Sequence, residues 1–220
     1  MKVLVISAHM DDEILGVGGT MLKHSFNGDE VSICYVTDSS STQYEGDEEK
    51  LRAKYKQAEE VRVIVGAKNI SFLDFPDMKL DTVSISKLAG AISKKVNEID
   101  PDIVYMHSNK DLNRDHRICH EATLIACRPL SSNVKELYAY EVLSSTEWNS
   151  EHFKPTMFVD ITGFLKEKQR AMSVYKDELR EYPHPRSIEG LQKLAEVRGM
   201  TIGKTFAEAF EVIRKIKWKK

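Results

Sequence analysis

Lys2-Val3-Leu4-Val5-Ile6-Ser7-Ala8-His9-Met10-Asp11-Asp12-Glu13 decides the fold. A short apolar run rich in β-branched residues reads as a buried strand, and the abrupt change at His9 to acidic side chains marks its carboxyl end. From Asp12 the apolar spacing becomes helical and continues to Phe26, stopping at Asn27-Gly28, a good C-terminal signal. This is a strand, an acidic turn and a helix, the first half of a βαβ unit. Gly16-Val17-Gly18-Gly19 inside that helix does not make a nucleotide loop, because the glycines follow the acidic cluster instead of joining strand to helix. Close packing of the helix on the sheet explains them better.

Working outward, the alternation repeats. Strands are expected at Glu30–Thr37, Asn69–Leu73, Asp102–His107, Glu136–Val142 and Thr156–Asp160. Helices are expected at Asp47–Gly66, Thr82–Ile99, Asp115–Cys127 and Gly163–Leu179, with helical sequence from Ser187 onward. The pattern predicts an α/β fold, a single Rossmann-like domain over residues 1–220 with a mostly parallel sheet flanked by helices. Ligands of such sheets bind outside the carboxyl ends of the strands, where loops and helix N-termini converge.

Composition narrows the function classes. Thirty-two Lys and Arg against 34 Asp and Glu leave a net charge of −2, which speaks against bulk electrostatic binding to nucleic acid. No apolar stretch is long enough to span a membrane, and the N-terminal run is too short and too soon acidic for a signal peptide. The three cysteines, Cys34, Cys119 and Cys127, form no CxxC pair, so a reducing, cytoplasmic location is expected. The expected partner is a small molecule, with neither nucleic acid nor membrane; a homo-oligomer is compatible with the sequence.

Two constellations carry chemistry. In the first, His9, Asp11, Asp12 and Glu13 crowd one strand end with no basic residue nearby in sequence. Like charges this close are kept where a cation offsets them, and a divalent metal is the economical one. His9 and Asp12 can face one point across the turn, while Asp11 and Glu13 diverge. The competing reading is an acidic helix start favoured by the helix dipole. The second constellation, His107-Ser108-Asn109-Lys110-Asp111-Leu112-Asn113-Arg114-Asp115-His116, follows another expected strand. The fold would bring His116 to His9 and Asp12, leaving a fourth tetrahedral position open, as at a catalytic zinc. His120, one helical turn on, is a rival ligand.

Ala8-His9-Met10-Asp11-Asp12-Glu13 together with Asn113-Arg114-Asp115-His116 resembles the PIG-L/LmbE-like zinc deacetylases of N-acetylglucosaminyl compounds, whose pattern is AHPDDE early and HPDH later. The likeness extends to the closing stretch Thr205-Phe206-Ala207-Glu208-Ala209-Phe210. It implies one Zn²⁺ per chain on His9, Asp12 and His116, with Asp11 as general base and Asp115 orienting a neighbouring imidazole. It further implies an N-acetylated sugar as substrate, with Arg52 and Asp77 where family members contact sugar hydroxyls. Two departures matter. Met10 replaces a proline, and Asn113 stands where the family has histidine; an amide donates a hydrogen bond to an oxyanion but delivers no proton. The general acid is then Asp11 returning its proton, or His107, or His184. His184 and Arg186, in a Pro-rich loop, are candidates to close over the substrate. Hydrolysis of another small amide or ester, and a non-catalytic sugar- or nucleotide-binding module, are the alternatives that the residues leave open.

Overall fold

The computed structural model describes residues 1–39 and 47–217. Seven strands form one sheet in the order β3-β2-β1-β4-β5-β7-β6. They are β1 Lys2–Ser7, β2 Glu30–Thr37, β3 Asn69–Phe75, β4 Ile103–His107, β5 Glu136–Tyr140, β6 Met157–Asp160 and β7 Ala207–Lys215. Strands β1 to β5 pair in parallel, and β7 runs antiparallel between β5 and β6. The helices are α1 Asp12–Phe26, α2 Glu48–Val65, α3 Ile85–Ile99, α4 Arg114–Ala126, α5 Leu165–Met172 and α6 Ile188–Thr201.

Side chains alternate across a strand, so β1 feeds both faces of the sheet. Val3 and Val5 join a core with Ile14 of α1, Val61 of α2, Met172 of α5 and Leu191 of α6; Leu4 and Ile6 join another with Ile92 of α3 and Ala122 of α4. The glycines of α1 allow its close approach to the sheet. A Cβ on Gly16 would stand 2.3 Å from Tyr140 Cδ2, and one on Gly19 2.8 Å from Ile161.

β1 lies between β2 and β4, so the chain leaves it in opposite directions on its two sides. This is the topological switch point, where the connections diverge and open a crevice at the carboxyl ends of β1 and β4. The turn carrying His9 and the loop leading to α4, whose first turn carries His116, both start there.

Three expectations for the fold are corrected. The helical reading from Ser187 onward is right only to Thr201; Ala207–Lys215 is strand β7. Its alternation is hidden because Glu208 and Glu211 are buried. Glu208 accepts the Gly19 and Thr20 backbone N–H groups at 2.8 and 2.7 Å and pairs with the buried Lys168 at 2.6 Å. Helix α5 ends at Met172 rather than Leu179. Helix α3 starts at Ile85, behind a 3₁₀ turn at Leu80–Thr82, rather than at Thr82.

Candidate metal centre

The turn after β1 is built by its own polar groups. Ser7 Oγ donates to the His9 carbonyl at 2.7 Å, and the His9 N–H donates to Asp12 Oδ2 at 2.9 Å. The same Asp12 oxygen lies 3.1 Å from His9 Nδ1 and 3.2 Å from His116 Nε2, and those two nitrogens are 3.1 Å apart. Two nitrogens and an oxygen bound at about 2.0–2.1 Å to a tetrahedral zinc stand roughly 3.4 Å from one another. The donor set and its spacing therefore fit such an ion.

Carboxylates stand behind the outer ring nitrogens. His116 Nδ1 lies 3.1 Å from Asp111 Oδ2, and His9 Nε2 lies 3.0 Å from Asp77 Oδ1 and 3.5 Å from Asp115 Oδ2. Neither outer nitrogen makes an aligned hydrogen bond here, so each carboxylate acts on its ring as a close charge, favouring a proton on the outer nitrogen and raising the basicity of the nitrogen turned inward. Asp111 is itself wholly buried. It accepts the Ser145 hydroxyl, the Thr146 hydroxyl at 2.7 Å and the Asn113 N–H at 2.8 Å. Burial works against its charge, but His116 and these donors overcome that and hold its carboxyl at about 2. Sequence reading passes over Asp111, because in an Asn-Lys-Asp-Leu-Asn loop it looks like any turn-forming aspartate.

Asp11 lines the cavity beside these groups in a strained conformation, φ 149° and ψ −29°. Such backbone costs about 1–3 kcal/mol and persists only where its surroundings over-determine it. Here the Asp11 N–H donates to Glu13 Oε2 at 3.0 Å, and Glu13 Oε1 is anchored by Tyr35 and Tyr175 hydroxyls at 2.9 and 2.8 Å. Arg186 donates to Asp11 Oδ2 at 3.1 Å. Burial, and then the neighbouring Asp12, push the Asp11 carboxyl up to about 7 against the pull of Arg186.

The cavity has a volume of about 130 Å³. Its charged lining among the described residues is Asp11, Asp12, Asp77 and Glu178 against Arg186, with His9 and His116 between them. That surplus of carboxylate is what a divalent cation offsets. Asn113 also lines it. As N-cap of α4, Asn113 spends its side-chain carbonyl on the Asp115 N–H at 2.9 Å, and its amide nitrogen lies 3.6 Å from Met78 Sδ.

Arg52, His107, His184, His120 and Asp115, all weighed from the sequence, do not line the cavity; Asp115 stands behind His9 instead. Arg52 lies on the outer face of α2, 81% exposed, and pairs with Glu48 at 3.2 Å. His107 is fully buried behind the site: its Nε2 accepts the Ala8 N–H at 2.8 Å, and its ring stacks on His116 with centroids 4.0 Å apart. His184 faces Trp148 and uses Nδ1 to accept the Arg186 N–H at 3.1 Å. His120, the rival ligand, donates Nδ1–H to the His107 carbonyl at 2.7 Å. Asp77 is at the cavity wall, turned toward His9.

Residues 4–127, more than half of the chain, match the family described as PIG-L, GlcNAc-PI de-N-acetylase. The chain belongs to the PIG-L family. A diacetylchitobiose deacetylase of Thermococcus kodakarensis is 28% identical to it over 96% of this chain and 83% of that protein. Among solved structures, the N,N'-diacetylchitobiose deacetylase of Pyrococcus horikoshii superposes with a TM-score of 0.80 at 24% identity, covering 97% of this chain and 84% of that one. GalB, the 4-carboxy-2-hydroxymuconate hydratase of Pseudomonas putida KT2440, superposes at 0.77 with 21% identity, covering 100% and 98%. At these identities the structural likenesses show the PIG-L fold alone.

Proposed function

We propose that this protein is a zinc-dependent hydrolase that removes the N-acetyl group from an N-acetylglucosamine-type sugar or sugar conjugate. The observation carrying the reading is the convergence of His9 Nδ1, Asp12 Oδ2 and His116 Nε2 within 3.1–3.2 Å of one another, beside the buried carboxyl of Asp11. Membership of the PIG-L family and the likeness to diacetylchitobiose deacetylases support it. No helix among the described residues is long and apolar enough to cross a membrane, and the three cysteines are free and buried; both fit a small-molecule enzyme of the cytoplasm.

Zinc held by His9, Asp12 and His116 would supply a Lewis acid and lower the pKa of water from about 15.7 toward about 7. The chain's own residues do the rest. Asp11 takes the proton of the attacking water; its position at the cavity wall and a carboxyl shifted toward neutrality suit a base that must also give the proton back. The leaving sugar amine needs that proton. Asn113 cannot provide it, and His107 and His184 do not line the cavity, so Asp11 returns it. The Asn113 amide donates toward the oxygen of the acetyl carbonyl as negative charge develops there. Asp77, Asp115 and Asp111 stand behind the two imidazoles as charges that raise the basicity of their inward nitrogens.

Purified protein incubated with N-acetylglucosamine, its oligomers, nucleotide-linked N-acetyl sugars and glycosyl conjugates is expected to release acetate from at least one of them. Ligand binding without acetate release from any member would favour the binding-module alternative. Asp111→Asn replaces the carboxylate behind His116 with a neutral amide and is expected to lower zinc affinity about 10–100-fold, read by competition with a chromophoric chelator.

Metal removal exposes a pH dependence whose sign follows from the buried groups. In the metal-free protein, burial lowers the proton affinity of His116, but Asp12 and Asp111 outweigh it and raise its pKa to about 9. A group that binds its proton more tightly when folded adds stability that is complete below its unfolded pKa of about 6.5 and is lost as pH rises toward the folded value. Asp11, at about 7, and Glu13, raised by burial to about 8, act in the same direction. The melting temperature of the metal-free protein is therefore expected to fall between pH 6 and pH 9. Zinc replaces the proton on His116 and should flatten that fall. Thermal melts across this range with and without chelator check it; parallel curves would contradict it.

A further inference from the structure

Lys54 lies in the middle of α2, 3% exposed, and its ammonium contacts Glu178 Oε1. Glu178 Oε2 accepts Arg186 Nη1 at 3.1 Å, and the same Nη1 donates to Asp11 Oδ2 at 3.1 Å. Arg186 Nε is tied to Ser144 Oγ at 2.8 Å. The four charges alternate in sign from the helix to the cavity: Lys54, Glu178, Arg186, Asp11. Each inner member is shared between its two neighbours.

A buried ion pair is weak evidence for stability, because apolar side chains of similar volume usually serve as well or better. Its reason is then to be sought in what it holds. Glu178 and Arg186 sit on the irregular segment between α5 and α6, which has no sheet pairing to fix it. Glu178 spends one oxygen on a lysine from another element and the other on Arg186, and so sets where the guanidinium stands. The guanidinium in turn holds one oxygen of Asp11, whose side chain lines the cavity. Without Lys54, Glu178 would be a second carboxylate competing with Asp11 for the same arginine.

The geometry points to Lys54 and Glu178 as positioning residues for the hydrolytic reaction, acting through Arg186 to hold the Asp11 carboxylate in its productive orientation. This rests on the deacetylase reading above. Arg186 is accordingly a clamp on Asp11 before it is a contact for substrate.

The test compares zinc-loaded wild type with Glu178→Gln, Lys54→Met and Lys54→Arg, expressing kcat per folded, zinc-containing molecule. Glu178→Gln keeps shape and hydrogen-bonding capacity, and so covers the case in which Lys54→Met does not fold. The expected result is a kcat lowered about 10–100-fold with KM changed less than about threefold, partial recovery in Lys54→Arg, and no further loss when Glu178→Gln is combined with Asp11→Asn. Unchanged kcat per zinc-loaded molecule, or a full additional loss in the Asp11→Asn background, overturns the proposal. A crystal structure of Glu178→Gln gives a readout free of activity: Arg186 should leave Asp11 Oδ2, and an intact contact with the carboxylate unmoved overturns the proposal too. Wild type inactive on every N-acetyl sugar would count against the deacetylase reading, and the crystal structure then decides the positioning role alone.

Discussion

Asp11→Asn is expected to lower kcat for acetate release by about two to four orders of magnitude while zinc content stays unchanged. Asparagine keeps the shape of the side chain and still offers an oxygen to Arg186, which now stands 3.1 Å from Asp11 Oδ2. Its backbone N–H remains free to donate to Glu13, so the strained turn is preserved. What it lacks is a place for a proton. In the proposed mechanism Asp11 both accepts the proton of water and returns it to the amine, so one substitution is expected to remove both transfers while KM moves little. Steady-state kinetics together with metal analysis of the same preparation check this; near-normal turnover would remove Asp11 from the mechanism.

His116→Ala is expected to abolish activity by a different route, the loss of the metal. Nε2 of His116 is one of the three converging donors, and a three-ligand site reduced to His9 and Asp12 should retain essentially no zinc after dialysis. The substitution also strands Asp111, a wholly buried carboxylate whose charge His116 balances at 3.1 Å. Removing one partner of such a pair costs about 3–5 kcal/mol, so the variant should melt well below wild type as well. Zinc content by mass spectrometry and a thermal melt separate the two effects. A variant that kept stoichiometric zinc would show that His116 is not a ligand.

The readability of this protein from sequence follows the physics of each element. β1 and the His9 turn were plain because a short β-branched run ending in uncompensated carboxylates has few interpretations, and the second loop repeated the signal with His116. The parallel order of the sheet then brought both to the switch point. β7 was opaque because Glu208 and Glu211 are buried where a strand face is expected to be apolar, their charges met by Lys168, Lys110 and backbone N–H groups far away in sequence. His107 and His184 share a residue type with His9 and His116, yet His107 is buried behind them and His184 faces Trp148, and neither lines the cavity. Asp111 and the Lys54–Glu178–Arg186 chain could not be seen at all, since an imidazole or a carboxyl acquires its partner only in three dimensions. Arg52 shows the converse error: a plausible position in the chain, but on the solvent face of its helix.

The most direct measurement is a titration of metal-free protein with zinc, following acetate released from a responsive N-acetyl sugar. Activity should be absent without metal and rise to a break at about one zinc per chain, the stoichiometry of a single His9–Asp12–His116 site. Acetate release that persists undiminished in the metal-free protein, or one zinc bound at this site with no N-acetyl sugar hydrolysed, would contradict the account.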